Sequence, residues 1–521
     1  MILIKTQDEL LTENEELKLQ NSTLENDNLE LNAKIKWYEE QLKLNKKKMF
    51  GASSEKTDDV MEQFNFFNEA EAEHTPINPE PTVETITYRR KKQRGQREKV
   101  LENLPVETIE YTLEDTTCPK CSEPLHVMSK EIRRELKIIP AQVKVVEHVS
   151  YVYSCRNCEK NDTVSTIITA PSPKGLLSKS LVSSSVMAYI MNQKFVNAMP
   201  LYRQEQELKR MDLLLSRQTL SNWMINGAKI LKPITDRLHE LLVSKDILHA
   251  DETTLEVLCE PNRSAQSNSY MWLYKTSKYD NPIVLYDYQE GRSGDFPKKF
   301  LNGFKGYLHV DGYAGYHKLE TDVKLSACWA HARRKFDEAL TVLPKKNPES
   351  AAAIGLQYCN KLFEIEREVQ DYSLKKKKIV RQEQSKPVTE AFFAWAEAES
   401  YKVLPKSAIG MAISYALKLR KPLLTFLEDE RLEISNNSAE RSIKPFVIGR
   451  KNWLFCNTPG GAKSSAIIYS MIETAKENKL KPYEYLKFIF DKLQVIDTEN
   501  ISEIDKILPW SNEVSISCKM V

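Results

Sequence analysis

The sequence lacks any apolar run near the roughly 20 residues that a bilayer-spanning helix requires, which argues against a membrane protein. Its opening segment, MILIKTQDEL, lacks the small-residue cleavage pattern of a secretory signal, so we expect a soluble, cytoplasmic protein. The sequence also lacks an excess of one charge, because its 75 Lys and Arg nearly balance its 73 Asp and Glu. The net charge of +2 indicates no global basic field, so evidence for a nucleic-acid partner has to come from local clusters.

Paired cysteines predict a structural zinc site in a chain of 521 residues, which is long enough for about three or four domains. The odd total of nine cysteines favours metal ligation in a reducing compartment over a disulfide framework. Two knuckles, CPKC and CRNC, are separated by 33 residues and supply four thiolates: Cys118, Cys121, Cys155 and Cys158. We predict a zinc ribbon over residues 101–170 with paired strands between the knuckles; redox cysteine pairs are the alternative. The remaining cysteines have no metal-ligand spacing and are expected to be packed or free thiols: Cys259, Cys328, Cys359, Cys456 and Cys518.

A seven-residue repeat predicts a leucine zipper over residues 1–45. Leucines at positions 3, 10, 17, 24 and 31 share one register, and asparagines at 14, 21 and 28 share a second register with Ile35 and Leu42. Buried asparagine pairs favour parallel, in-register helices, so we expect a homodimer or a higher assembly; a single solvated helix is the alternative. Residues 46–100 are typical of a linker, first acidic and then basic, and the basic part either binds phosphate non-specifically or is simply solvated.

Residues 171–240 are predicted to be helical and to include a DNA-binding helix-turn-helix. The segments LYRQEQELKRM, DLLL and SRQTLSNWMINGAKIL follow one another as helix, turn and helix, with Ser216 as the cap of the second helix. Near the start of that helix lie the polar side chains that a recognition helix would present to base edges: Arg217, Gln218, Ser221 and Asn222. Any helical hairpin has the same pattern, so that alternative stays open.

Two aspartates in similar surroundings are candidate metal ligands. Residues 241–340 alternate strand signals, ILHADETTLEVL, YMWLYKT, PIVLYDY and GYLHVDGY, and end in a helix, CWAHARRKFDEAL. Asp251 and Asp311 lie amid apolar residues, where an ionised carboxylate is costly unless it is paired or metal-bound. On neighbouring strands they would lie side by side, and Glu440 would complete an oxygen cage for two divalent ions. Glu252 points to the opposite face of its strand and is assigned no metal; turn capping or ion pairing is the alternative for the two aspartates.

Helical sequence surrounds this candidate site. Residues 341–430 are predicted as an all-α insertion, 431–480 as the second part of the core, and 481–521 as a helical tail. Ser435, Asn436 or Asn437 is expected to cap the helix that carries Glu440. Nearby basic residues are expected to approach DNA: Arg333, Arg334, Arg441, Lys444, Arg450 and Lys451. An ion pair with Glu440 is the alternative for Lys444. His331, on the helix after the second aspartate, is expected to be structural, and a catalytic role is its alternative.

Taken together, these segments resemble the transposase of the insertion sequence 66 family. The resemblance runs in order through KMFGASSEK, the two CxxC pairs, SRQTLSNW, HADET, VDGYAGY, CWAHARRKF and ISNNSAERSIKPFVIGRKNWLF, and so covers nearly the whole chain. It implies a multidomain α/β protein with an N-terminal coiled coil, a zinc ribbon and a helix-turn-helix segment. It further implies a ribonuclease-H-like mixed-sheet core that an all-α insertion interrupts.

The resemblance also implies a function. Asp251, Asp311 and Glu440 would form the catalytic triad and hold two Mg²⁺ per active site, with Mn²⁺ able to substitute. The activity would be cleavage at transposon ends and joining of the freed 3′-hydroxyl to target DNA. Double-stranded DNA and two smaller companion proteins of the same element would be the partners, on the bacterial nucleoid. The alternatives are a DNA-binding regulator with an inactive core and a nuclease that cuts without joining.

The zinc site can be tested by substitution. Replacing Cys118 and Cys155 with Ser should release about one zinc ion per chain and loosen the segment between the knuckles, because a ribbon has little core without its metal. Elemental analysis of the purified protein measures the loss, with Cys518→Ser as the control outside the CxxC pairs. A wild-type protein that contains no zinc would contradict this prediction.

Overall fold

The structure, a computed structural model, describes Thr108 and residues 141–154, 167–319, 321–343 and 347–520. The predicted zipper, the linker and the four knuckle cysteines therefore lie outside the described residues. All elements below belong to the compact unit that contains residues 147–520. A short antiparallel pair comes first, β1 (Val152–Ser154) with β2 (Ile167–Thr169). The paired strands expected between the knuckles are only partly found, since residues 141–151 contain no strand.

Three helices precede the main sheet: α1 (Ser184–Phe195), α2 (Leu201–Arg210) and α3 (Arg217–Val243). Helices α2 and α3 form the predicted helix, turn and helix, and the Ser216 hydroxyl caps α3 by accepting a hydrogen bond from the Thr219 amide at 3.2 Å. Helix α3 runs for 27 residues, well past the predicted segment, because buried apolar side chains continue at helical spacing through Leu231, Leu238 and Leu242.

A mixed five-stranded sheet forms the centre, as predicted. Its strands are β3 (Ile247–Glu256), β4 (Asn268–Thr276), β5 (Val284–Gln289), β6 (Gly306–Val310) and β7 (Val323–Ala327). Their order across the sheet is β5-β4-β3-β6-β7, with β3, β4 and β5 antiparallel and β3, β6 and β7 parallel. The sequence patterns predicted four of these strands; β7, with the sequence VKLSA, was not predicted.

Helices fill the rest of the described chain. After α4 (Asp295–Phe300) and β7 come α5 (Trp329–Thr341), α6 (Ala351–Glu368), α7 (Leu374–Val380), α8 (Lys386–Ser400), α9 (Ala408–Lys418) and α10 (Arg420–Leu424). Next are α11 (Asn437–Trp453), α12 (Pro459–Glu477), α13 (Pro482–Leu493) and α14 (Ile501–Asp505). The helices predicted around 462–477 and 482–493 are confirmed as α12 and α13. None of the helices in the described ranges is long and apolar enough to cross a bilayer.

Two hydrophobic cores hold these elements. The larger core joins the sheet to α1, α3, α12 and α13, and the second surrounds Trp329, Phe392 and Phe426 in the helices between β7 and α11. Helix α12 covers the edge strand β5, because the Ser470 hydroxyl accepts a hydrogen bond from the Tyr286 amide at 2.8 Å and Thr474 bonds to the backbone of Val284. A covered edge cannot pair with a strand of another chain.

A buried arginine joins two parts of the inserted helices, α6 to α10, which lie between β7 and α11. Arg381 lies in one turn of π-helix (Arg381–Ser385), is 1% exposed and makes two hydrogen bonds to Glu366 of α6 at 2.6 and 2.7 Å. It also donates to the backbone carbonyls of Phe426, Asp429 and Leu432. One guanidinium thereby ties α6 to the segment that leads back towards α11.

Replacing Arg381 with Met should lower the free energy of unfolding by about 3 kcal/mol. The loss leaves Glu366 and three carbonyls without their main donor, although Lys377 remains 3.5 Å from Glu366. Denaturant unfolding measures the loss of stability. The matched control is Arg367→Met, a substitution at the exposed residue next to Glu366. Equal stability of the two variants would show that the inserted helices do not depend on Arg381.

Candidate active site

Asp251 and Asp311 lie side by side at one end of the sheet. Strands β3 and β6 are parallel neighbours paired as Ile247 with Tyr307, Leu248 with Leu308 and His249 with His309. The same offset, continued two residues further, places Asp251 opposite Asp311, immediately after the end of β6. Because side chains alternate along a strand, each aspartate shares the face of the histidine two residues before it.

The turn after β6 fixes the second aspartate. Asp311 accepts a hydrogen bond from the Tyr313 amide at 2.9 Å, and its carbonyl accepts one from the Tyr415 hydroxyl at 2.6 Å. Gly312 has φ +98°, and a Cβ there would lie 2.5 Å from Cδ1 of Leu419. Glycine is therefore required at this position, both by the left-handed backbone and by the close approach of α9.

Glu440 reaches the same region from the first turn of α11. Its Oε1 lies 3.8 Å from Nδ1 of His331, and its Oε2 lies 3.9 Å from Arg334. Both contacts come from α5, the helix that follows β7. The alternative sequence interpretation, an ion pair between Glu440 and Lys444, is absent from the described part of the chain, where Lys444 is exposed.

Asn436 connects the three parts of the site. Its side chain is fully buried: Nδ2 donates to the Ala250 carbonyl at 2.8 Å, and Oδ1 lies 3.0 Å from Nδ1 of His249. Its amide donates to Sγ of Cys328 at 3.1 Å, and its carbonyl accepts from the Glu440 amide at 3.2 Å. Asn436 is the N-cap residue of α11 by position, but its side chain makes no capping bond, so the predicted cap is replaced by a bond to β3.

The three carboxylates act on one another electrostatically. Burial raises the pKa of Asp251 well above its usual range, and the negative charges of Glu252, Asp311 and Glu440 raise it further. The three groups are near one another, yet their oxygens do not all lie within 4.8 Å. Among the described residues, the trio of possible metal ligands within that distance consists of Cys328, His331 and Glu440. This trio was not predicted from the sequence, since Cys328 has no CxxC spacing.

Glu252 occupies a different environment. Its side chain is 1% exposed, binds Arg292 through Nε at 2.9 Å and accepts a hydrogen bond from the Tyr316 hydroxyl at 2.7 Å. Burial and the charge of Asp311 raise the pKa of Glu252, while Arg292 and Tyr316 lower it. This buried carboxylate is paired with the exposed guanidinium of Arg292, and its assignment to the opposite face and to no metal stays a prediction.

The predicted DNA-contacting residues occupy two separate places. On α11, Arg441, Lys444 and Lys451 are exposed and share one face by helical spacing, starting beside Glu440. Arg450 instead lies against β3, with Nη1 3.2 Å from the Thr254 hydroxyl. On α5, Arg333 donates to Asn360 of α6 at 2.7 Å.

The second group lies at the start of α3. Arg217, Gln218 and Asn222 are exposed and Ser221 is half-buried. Arg217 forms an ion pair with Glu205 of α2 at 3.3 Å. The structure thus places these four side chains near one end of a surface helix, and their contact with DNA remains a prediction.

Family models match most of the chain. A family model described as "Transposase IS66 family" matches residues 179–464, which contain the sheet, the inserted helices and Glu440. The "zinc-finger binding domain of transposase IS66" matches residues 115–159 and so includes all four knuckle cysteines, which supports structural zinc. Residues 470–510 match the "IS66 C-terminal element". Residues 37–109 match "Transposase C of IS166 homeodomain", a match that overlaps the predicted zipper only at its end.

Relatives occur in Sinorhizobium fredii. The uncharacterized protein y4qI is 30% identical over 421 residues, which are 78% of this chain and 76% of the relative. The uncharacterized protein y4jD is 30% identical over 422 residues, or 78% of this chain and 80% of the relative. A third, the uncharacterized protein y4hP, is 28% identical over 415 residues, or 76% of this chain and 73% of the relative.

The Asn436 contacts can be tested through stability. Asn436→Ala should lower the free energy of unfolding by about 2–3 kcal/mol, because the carbonyl of Ala250 and Nδ1 of His249 would be left buried without partners. Asn437, the exposed next residue, supplies the control Asn437→Ala. Chemical denaturation compares the two, and an Asn436→Ala protein as stable as the control would mean that the buried amide does not hold α11.

Proposed function

The chain belongs to the IS66 transposase family, and we propose that it is a DDE transposase that binds the ends of its element, cuts phosphodiester bonds and transfers the freed 3′-hydroxyl strand to target DNA. The observation that carries this proposal is the register of β3 and β6, which sets Asp251 beside Asp311, with Glu440 approaching on α11. A mixed sheet with one carboxylate within β3 and the other just after its parallel neighbour β6 supports a ribonuclease-H-like core.

The donor set fits magnesium. Asp251, Asp311 and Glu440 offer carboxylate oxygens, the ligands that Mg²⁺ and Mn²⁺ prefer. Oε1 of Glu440 is buried without a hydrogen-bond partner, and a cation would offset the burial and the repulsion that together raise the pKa of Asp251. Two divalent ions held by these residues would activate a water or a 3′-hydroxyl and stabilise the leaving oxygen.

The chain's own residues position the reacting DNA. The exposed basic face of α11, Arg441, Lys444 and Lys451, begins one residue from Glu440 and is placed to neutralise phosphates beside the carboxylates. The start of α3 is a separate surface for reading base edges through Arg217, Gln218, Ser221 and Asn222. Phosphate contacts fix the register of the duplex, while base contacts would select the transposon ends.

The proposed function also requires that more than one chain assemble. Two transposon ends have to be held together while they are cut and joined, and the predicted zipper would bring two chains together for this purpose. Four cysteine ligands would leave the zinc of the ribbon no open position for water, so its role would be structural. Companion proteins of the same element are further partners of this proposed assembly.

The catalytic assignment can be tested with isosteric variants. Asp251→Asn, Asp311→Asn and Glu440→Gln each remove one negative charge with little change of shape, so Mg²⁺-dependent cleavage and strand transfer should fall by orders of magnitude. Binding to the ends should persist, because phosphate contacts and the helix-turn-helix carry it separately. The assay uses duplexes that contain the element's own ends, with Mg²⁺ or Mn²⁺.

Glu256→Gln is the matched control, since Glu256 is exposed on the same strand and on the face opposite Asp251. Glu252→Gln should affect stability more than chemistry, because it removes the buried charge that pairs with Arg292. Retained cleavage in Asp251→Asn would overturn the triad. End binding without any cleavage by the wild type would favour the regulator with an inactive core.

A further inference from the structure

Three side chains from the starts of two helices, α5 and α11, converge at one point, and one of them is the carboxylate of Glu440. Cys328 is the N-cap residue of α5, His331 lies in its first turn and Glu440 comes from α11. Their sulfur, nitrogen and oxygen ligand atoms all lie within 4.8 Å of one another. Ligands of a tetrahedral zinc ion, with bonds of about 2.0–2.3 Å, are roughly 3.3–3.8 Å apart. The 3.8 Å between Nδ1 of His331 and Oε1 of Glu440 is close to that separation.

The sulfur of Cys328 is placed as a thiolate would be. It accepts a hydrogen bond from the Asn436 amide at 3.1 Å, and the backbone amides of His331 and Ala330 act to lower the pKa of the thiol. A sulfur at the N-terminus of a helix and surrounded by N–H donors is stabilised in its anionic form. Burial nevertheless raises the pKa of this thiol to about 12, so a metal would have to displace its proton to solvent.

The other two ligand atoms have no other partner. Nδ1 of His331 and Oε1 of Glu440 are both buried and make no hydrogen bond. Such atoms are costly to desolvate unless something binds them. The second oxygen of Glu440 faces Arg334, which leaves Oε1 turned towards His331.

We propose that Cys328, His331 and Glu440 form a second metal site that binds a thiophilic divalent cation, zinc above all. A thiolate, a neutral imidazole and a carboxylate together carry two negative charges, which match a divalent ion, and they leave a fourth position for water. This ligand set selects against magnesium, which binds oxygen ligands. The site is separate from the four-cysteine ribbon, whose ligands lie far away in the sequence.

Zinc at this site would regulate the enzyme. Because Glu440 belongs to both ligand sets, zinc held by Cys328 and His331 withdraws this carboxylate from Asp251 and Asp311. Zinc would then inhibit Mg²⁺-dependent cleavage without blocking DNA binding. This consequence rests on the proposed function; the zinc site itself does not.

Metal binding is tested first, on the full-length protein with its ribbon already loaded with zinc. Equilibrium dialysis against zinc should show one further ion per wild-type chain, and Cys328→Ser and His331→Ala should lose it. Cys359→Ser is the matched control, since Cys359 is another fully buried free thiol. Co²⁺ added to the loaded protein should give a thiolate charge-transfer band in the wild type and the control but not in Cys328→Ser.

A wild type that binds no more zinc than Cys328→Ser overturns the site. If Cys328→Ser does not fold, as judged by circular dichroism, the comparison with His331→Ala decides the same question. Loss of the Co²⁺ band in the Cys359→Ser control would also overturn it, because the sulfur ligand would then be the wrong one.

Inhibition is tested second, as the ratio of cleavage with and without added zinc at fixed Mg²⁺ within each variant. The zinc concentration that halves cleavage should rise at least about tenfold in Cys328→Ser relative to Cys359→Ser. Equal inhibition of both variants would overturn the competition for Glu440. Bound extra zinc in a protein that never cleaves DNA would instead overturn the proposed function and leave the site intact.

Discussion

The buried side chain of Asn436 is the constraint on which the site depends. Both ends of its amide are used, one on the carbonyl of Ala250 and the other on the ring of His249, and these partners are more than 180 residues away in sequence. An amide buried without such partners would cost several kcal/mol, on the order of 2–7. Helix α11 therefore has one satisfactory position on the sheet, and that position brings Glu440 close enough to act electrostatically on Asp251. Polar complementarity, rather than apolar packing alone, determines where the third carboxylate lies.

The layer beneath the carboxylates is polar but uncharged. His249 and His309 lie in register on parallel strands with ring centroids 5.3 Å apart, and burial lowers the pKa of both. Each precedes an aspartate by two residues on the same face, because the strands repeat the order His-x-Asp. Because both histidines are neutral, they do not offset the negative charges of Asp251 and Asp311. The compensation has to come from solvent cations or basic side chains, as an ion-dependent site requires.

The sequence predicted the elements better than their contacts. Alternating apolar residues identified β3 to β6, and helical spacing identified α12 and α13, since these signals are local. The short strand β7 was missed, although VKLSA alternates apolar and polar residues over its five positions. Asn436, one of the three residues expected to cap α11, is its N-cap residue by position, but its side-chain oxygen lies against His249 instead of the helix amides. The approach of Cys328 and His331 to Glu440 depends on how α5 and α11 pack, and no spacing within the sequence encodes it.

The helices between β7 and α11 do more than separate two segments of the candidate active site. Tyr415 of α9 holds the carbonyl of Asp311, and Leu419 packs where any side chain at position 312 would lie. The same helical region ends shortly before Asn436, at the backbone carbonyls that accept hydrogen bonds from Arg381. Their packing thus supports the turn after the second aspartate and also the entry into α11. A displacement of these helices would move Asp311 and Glu440 together, so the all-α region is mechanically part of the candidate active site.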